Sequence, residues 1–336
     1  MLRSKCFFLA LMVLFAVVLS GCGTTPTATP IPPTPVSVQL SWTHEYSLAS
    51  FYTAELNGHF AEQNLDVTLE AGGFVNGTYI EPIDQVLAGE VDFGASNATS
   101  ILQARAEGKP VVAIATILQR SPTAVISLAA ANIQTPADLV GKTVAVAEGG
   151  ATQLLNAMLT SQGIDVADVN IVPRPGFGVD PLLNGDVDAL VGWIFNEGVQ
   201  VQEAGQEANF LLLTDYGIPD YSNLIFTTEQ MINERPDVVE RFVRAVIAGL
   251  QDVVDNPEQA AQYTLQYNNT LDQDQQLRRL QASIPLIQPA RTQVGTMQES
   301  VWQDIQTVLI DVGILSEAID VNTAYTSSFL DQIYSE

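Results

Sequence analysis

Val111-Val112-Ala113-Ile114-Ala115-Thr116-Ile117-Leu118-Gln119-Arg120-Ser121-Pro122-Thr123-Ala124-Val125-Ile126-Ser127-Leu128 sets the layering of the chain. Gly108-Lys109-Pro110 precedes it and punctuates its start. An apolar run such as Val111–Leu118, bounded by turn residues, reads as a central strand covered on both faces. Thr123–Leu128 reads as another strand. Ser121-Pro122 between the two marks the beginning of a second unit.

Strands and helices alternate on both sides of this point. Toward the N-terminus, Val36–Trp42 alternates apolar and polar residues as a strand. Ser47–Phe60 has Leu48, Phe51, Tyr52 and Leu56 at helical spacing, with Gly58 and Asn64 at its end. Val67–Leu69 is a short strand, Gly72-Gly73 starts a loop, Ile80–Ala88 reads as a helix, Val91–Gly94 as a buried strand and Ala98–Glu107 as a helix. Toward the C-terminus, Thr135 is placed to cap a short helix that opens on Pro136. Lys142–Ala147 is a strand that runs through Glu148-Gly149-Gly150-Ala151-Thr152 into a helix over Gln153–Gln162. Asn170–Val172, Val187–Gly192 and Phe210–Leu213 are further strands, and the chain is helical from Met231, with Val239, Phe242, Val243, Val246 and Leu250 on one face. The pattern predicts an α/β chain with mostly parallel sheets in two lobes. Residues 36–121 with 222–336 form the first lobe, and 122–221 are inserted as the second. Two crossovers join them, and a ligand cleft lies at the carboxyl ends of the strands.

Composition narrows the function. The 336 residues carry 13 Lys+Arg against 38 Asp+Glu, a net charge of −25, with 47% hydrophobic residues. So acidic a surface repels nucleic acid, while the apolar fraction is too high for a disordered acidic chain. Cys6 and Cys22 are the only cysteines, so a disulfide scaffold is not expected. Arg3 and Lys5 precede an apolar run from Cys6 to Leu19, which is too short for an ordinary membrane span and fits a secretory signal. The run ends in Leu19-Ser20-Gly21-Cys22, which resembles a bacterial lipobox. That resemblance implies a signal peptide over 1–21 and a lipid, palmitate included, on Cys22. The Thr/Pro-rich stretch up to residue 35 reads as an extended tether. Loss of residues 1–21 removes Arg3 and Lys5 and leaves 11 basic against 38 acidic residues, a net charge of −27.

Several segments resemble the type II periplasmic substrate-binding proteins, in the branch that binds thiamine pyrimidines and riboflavin and is related to the yeast-type thiamine-pyrimidine synthases. They are Trp42-Thr43-His44, Phe51-Tyr52-Thr53-Ala54, Gly58-His59-Phe60, Gly72-Gly73, Asp92-Phe93-Gly94-Ala95-Ser96, Leu139–Val144 and Gly185–Ala189. The resemblance covers about residues 36–290. It implies the two-lobed periplasmic-binding-protein fold of type II, an ABC permease as partner, a monomer, no resident cofactor, and a location outside the cytoplasmic membrane, held there by lipid alone.

Strand ends supply the candidate site. Trp42, Thr43, His44 and Tyr46 follow the first strand; Ser96 and Asn97 follow the Phe93-Gly94 strand. Gly149, Gly150 and Thr152 open a helix, where free N–H groups can meet an acceptor or merely complete a tight turn. Trp193, Asn196 and Glu197 follow the Leu190-Val191 strand, and Tyr216 and Tyr221 lie by the return crossing. The resemblance implies an acidic residue near Trp193 that pairs with the ligand's ring, with Glu197 as its candidate. Aromatic side chains for stacking and few nearby cations, Arg120 and Arg174 among them, suit a neutral flat heterocycle better than a small anion. Riboflavin is favoured, with a thiamine pyrimidine precursor next. A synthase-like enzyme is disfavoured because no cysteine follows Cys22 and His44 and His59 are the only histidines. A tethered sensory domain is a third reading.

Overall fold

The computed structural model describes residues 32–75, 78–147, 150–174 and 178–335. The signal sequence, Cys22, nearly all of the tether and Gly149 fall outside these residues. Among the described residues twelve strands follow in chain order: β1 Thr34–Gln39, β2 Leu65–Glu70, β3 Gly73–Val75, β4 Thr78–Ile80, β5 Phe93–Asn97, β6 Val111–Leu118, β7 Thr123–Leu128, β8 Thr143–Val146, β9 Asn170–Pro173, β10 Ala189–Trp193, β11 Ala208–Leu212 and β12 Ser222–Thr228. They form one five-stranded sheet in the order β2-β1-β5-β12-β6, another in the order β11-β7-β10-β8-β9, and the small β3-β4 hairpin.

The sheets are mixed, where the alternation predicted mostly parallel ones. β12 is antiparallel to β5 and β6, and β7 to β10 and β11. The reason lies in the two crossings between the sheets, from Leu118 to Thr123 and from Leu212 to Ser222. A strand that follows a crossing begins at the junction of the lobes, whereas its neighbours end there. Strand ends that carry chemistry therefore converge on the junction, as the crevice rule for such sheets requires.

Local boundaries also shift. Thr34 and Pro35, read as the end of the tether, already pair with Leu65 and Asp66. β1 stops at Gln39, short of Trp42. The helix read as Ser47–Phe60 is three pieces: a 3-10 turn Tyr46–Leu48, the helix Ala49–Leu56, and the turn His59–Glu62 after Gly58 at φ 85°. Such a positive φ ends a helix and suits glycine. Thr135 caps as expected: its N–H and Oγ1 donate to Asp138 Oδ2 at 2.8 and 2.9 Å, and the segment Pro136–Leu139 is a 3-10 turn.

Each sheet is covered on both faces, as strands of alternating depth demand. On one face of the first sheet Ile225 meets the helix Pro236–Asp255, whose Phe242 stacks on Phe93 at 3.9 Å and on Phe60 at 5.9 Å between ring centres. A Cβ at Gly249 of this helix would collide with Ser50 O and Ala54 N of the helix Ala49–Leu56, so glycine sets how closely the two approach. On the other face Leu224 and Phe226 meet Trp302 of the helix Glu299–Asp311. In the second sheet Val125 and Val144 face one core, and Ala124 and Ile126 the other. No helix among the described residues is long and apolar enough to cross a membrane.

Candidate functional site

The segment between β1 and the helix Ala49–Leu56 is the part of the junction richest in chemistry, and its backbone is held down at successive points. Gly72 N–H donates to Trp42 O at 2.9 Å, and Tyr79 Oη donates to Ser41 O at 2.9 Å. Asn268 Nδ2 donates to His44 O at 3.2 Å, and Tyr46 N–H donates to Gln276 Oε1 at 3.0 Å. The β3-β4 hairpin lies directly against it. A Cβ at Gly72 would strike Leu40 O, and Gly73, at φ 86°, sits against Trp42 and Thr43. Glycine at both positions lets the hairpin close on the segment.

That approach builds an aromatic cluster which the sequence reading did not contain. Trp42 meets Phe74 edge-on at 5.9 Å and Tyr79 at 6.3 Å, and Phe74 meets Tyr79 at 5.5 Å. Phe74 is 57% exposed and Tyr79 38%. Three adjoining aromatic rings, two of them exposed, form a surface on which a flat apolar or aromatic group could stack. Thr43 beside them is exposed. The signal for the hairpin was available: Asn76-Gly77, outside the described residues, is a favoured two-residue turn pair, and β-prone Phe74-Val75 and Thr78-Tyr79-Ile80 stand on either side of it.

From the second lobe, Trp193 ends β10 and packs half-buried against the same core cluster as Trp42. Its ring stands edge-on to Phe195 at 5.5 Å. Phe195 is fully buried among first-lobe residues and meets Tyr46 at 5.6 Å. Trp193 thus stands beside the inter-lobe contact that Phe195 makes with Tyr46.

Other candidates are already engaged. Tyr46 is buried, its Oη donates to Asn196 Oδ1 at 2.7 Å, and the Arg279 guanidinium lies 5.5 Å above its ring. The Tyr46 hydroxyl and the Asn196 carbonyl oxygen therefore bond each other across the lobes. Glu197 was read as the partner of a ligand ring. It is buried, its Oε1 accepts from Arg174 Nη2 at 2.8 Å, and its Oε2 accepts from Trp193 N–H at 2.8 Å. Burying a carboxylate demands such partners. Arg174 also donates to Val191 O and Gly178 O, while its buried Nε has no partner. Gly192 leaves room for this pair, since a Cβ there would lie 2.6 Å from Glu197 Oε2.

Asn97 caps the helix Ala98–Ala106, accepting from Ser100 N–H at 2.8 Å, and Ser96 before it is nearly buried. Gly150 begins the helix Gly150–Ser161, and Thr152 Oγ1 donates back to Ala147 O at 3.0 Å. Tyr221 is buried beside Trp302, and its Oη accepts from Gln298 N–H at 2.8 Å; burial pushes its phenol up to about 12. Tyr216 packs against the second lobe's core, and its carbonyl accepts from Ser161 Oγ at 3.1 Å. Tyr221 and Tyr216 are thus props rather than open contacts. His44 is half-buried, its Nδ1 3.2 Å from Tyr52 Oη and its ring 5.4 Å from Tyr267. Burial lowers its pKa against the opposing pull of Glu70, so at neutral pH it serves as an uncharged hydrogen-bonding group.

Asp220, just before β12, is the most perturbed acid at the junction. Burial raises its pKa to about 7, against hydrogen bonds from the backbone of Thr99, Tyr221 and Ala98 and from the Thr99 hydroxyl, and its Oδ1 has no partner. The folded chain therefore holds this proton more tightly than the unfolded one. The resulting stability is complete below about pH 4 and is lost as pH rises toward 7. Asp220→Asn is expected to flatten this fall, gaining on the parent at pH 8 relative to pH 5 in urea unfolding. Parallel pH profiles for the two proteins would refute it.

Against this geometry, comparison with known proteins is decisive for the family. The model of the family described as NMT1/THI5 like matches residues 46–260. The chain belongs to the NMT1/THI5-like family. Among NMT1/THI5-like relatives, the riboflavin-binding protein RibY of Chloroflexus aurantiacus is 28% identical over 96% of this chain and 97% of its own. The formylaminopyrimidine-binding protein of Halalkalibacterium halodurans is 26% identical over 96% and 99%. A 4-amino-5-hydroxymethyl-2-methylpyrimidine phosphate synthase of Legionella pneumophila is 25% identical over 90% and 94%. The solved periplasmic aliphatic sulphonate binding protein SsuA of Escherichia coli superposes with a TM-score of 0.67 at 13% identity, over 87% of this chain and 92% of that one. This likeness shows the two-lobed periplasmic-binding-protein fold. The NMT1/THI5-like match begins at Tyr46, so it takes in Phe74, Tyr79 and Trp193 but not Trp42.

Proposed function

We propose that this chain is the ligand-capturing component of an ABC importer and that it takes a flat heterocycle, riboflavin before a formylated or thiamine-type pyrimidine. The observation that carries the reading is the exposed cluster Trp42–Phe74–Tyr79 beside the junction of two lobes. Broad exposed rings suit a wide, fused ring system, which gains most from stacking. Two relatives named for binding such ligands, matched over nearly their whole length, support it. In this reading Cys22 carries the lipid, the Thr/Pro-rich tether lifts the lobes off the membrane, and the protein meets its permease as a monomer on the outer side. The synthase reading has the Legionella relative in its favour. Against it, no cysteine follows Cys22, and both histidines are engaged by side chains, His59 Nε2 with Asp252 Oδ2 at 2.7 Å and His44 Nδ1 with Tyr52 Oη at 3.2 Å.

Riboflavin titration followed by flavin fluorescence, with calorimetry for formylaminopyrimidine, tests the assignment. Trp42→Ala is expected to weaken riboflavin by about 2 kcal/mol, roughly thirty-fold, the scale of one lost base-to-aromatic stack. Absence of binding to both ligands, or an unchanged affinity in Trp42→Ala, would overturn it.

A further inference from the structure

Asn223 lies in β12, directly after the return crossing, in a conformation few side chains adopt. Its φ is 52°, and the pairing of β12 with β5 slips between Ser222 and Leu224. Asparagine tolerates this left-handed region, which explains how a residue other than glycine can occupy the bulge. The kink sends its side chain out of the sheet ladder and across to the segment after β1. There its Oδ1 accepts from Ser41 Oγ at 3.0 Å and its Nδ2 donates to Ser47 O at 3.2 Å. Asn223 is only 5% exposed. One buried amide thus grips both ends of the 41–47 segment, the stretch that carries Trp42, Thr43, His44 and Tyr46.

We infer that Asn223 is a positioning residue for ligand capture: it sets the pose of the Trp42 segment and ties that pose to the return crossing between the lobes. The inference deepens the ligand-binding reading and rests on it for the identity of the ligand. The chemistry needs asparagine rather than a generic bulge former. Glycine would satisfy the backbone but hold neither end of the segment. Aspartate could accept from Ser41 but could not donate to Ser47. The segment's backbone is also held by Gly72, Tyr79, Asn268 and Gln276, from other elements of the first lobe, and the Tyr46 hydroxyl by Asn196 of the second. Asn223 differs from these in gripping both ends of the segment from a strand entered directly from the second lobe.

The test pairs a measurement without ligand and one with it. Asn223→Gly keeps the positive φ and deletes the amide. In a Trp193→Phe background Trp42 is the tryptophan open to acrylamide, because Trp302 is fully buried. Asn223→Gly is expected to raise the acrylamide quenching constant of Trp42 at least twofold and to weaken riboflavin, titrated in the otherwise unaltered chain, about tenfold. Asn223→Asp is expected to fall between it and the parent. If Asn223→Gly does not fold, Ser41→Ala removes one of the two grips without touching the bulge and is read the same way, with smaller shifts. Unchanged quenching and unchanged affinity in a folded variant would overturn the inference. Raised quenching in a protein whose parent binds no riboflavin would uphold the positioning role and defeat the ligand assignment instead.

Discussion

Replacing Glu197 with alanine is expected to cost about 3–5 kcal/mol of folding stability, the usual result of stranding one member of a buried ion pair. The pair is nearly dry, with side-chain exposures of 6% for Arg174 and 5% for Glu197. Without Glu197 the guanidinium keeps only its bonds to Val191 O and Gly178 O, and its Nε remains unpartnered. The Trp193 N–H loses its acceptor in the same step. Glu197→Gln preserves that acceptor and removes only the charge, so it is expected to cost less. Arg174→Met combined with Glu197→Leu removes both charges and is expected to recover most of the loss, since two apolar side chains need no partners. Urea unfolding of the four proteins measures this. A Glu197→Ala cost below about 1 kcal/mol would show that the pair is solvated in solution.

Trp302→Ala is expected to be as costly, about 3–5 kcal/mol, because a fully buried indole leaves a cavity that its rigid neighbours cannot fill. The ring stacks on Tyr325 at 5.2 Å, lies 5.9 Å from Tyr221 and closes the core over Leu224 and Phe226. Its Nε1 is buried with no partner, a group that costs about 1–3 kcal/mol to desolvate. Trp302→Phe removes that group while keeping an aromatic ring, so it is expected to cost far less than alanine. Thermal unfolding of both variants decides: equal losses for Phe and Ala would mean the indole nitrogen is satisfied in solution.

The layering was legible in the sequence because it depends on local pattern. Val111–Leu118 is a continuous apolar run and is wholly buried; Thr135 stands at the N-cap position before Pro136, as its place in the sequence suggested. What failed depends on contacts distant in sequence. The direction of β7 and β12 follows from the crossings, which no periodicity encodes. The site was legible in residue type and much less in role. Trp42 and Trp193 stand by the junction, but Tyr46, Asn196 and Glu197 looked available only because Phe195, Arg174 and Arg279 were not yet beside them. Phe74 and Tyr79 escape because Gly72-Gly73 reads as the start of a loop and the helix reads from Ile80, which leaves no strand at Thr78–Ile80 for the loop to pair with.

Phe195 gives the junction a mechanical character. A ring from one lobe seated in the apolar interior of the other makes a ball in a socket. Drawing the lobes straight apart would wet the ring and empty the socket, at about the 3–5 kcal/mol of a buried phenylalanine lost. Turning about the seated ring costs no such exposure. A turn about it strains instead the polar ties beside the socket, Tyr46 Oη to Asn196 Oδ1 at 2.7 Å and Arg278 Nη2 to Glu203 Oε1 at 2.6 Å, so the apolar ring resists separation and the polar ties resist rotation.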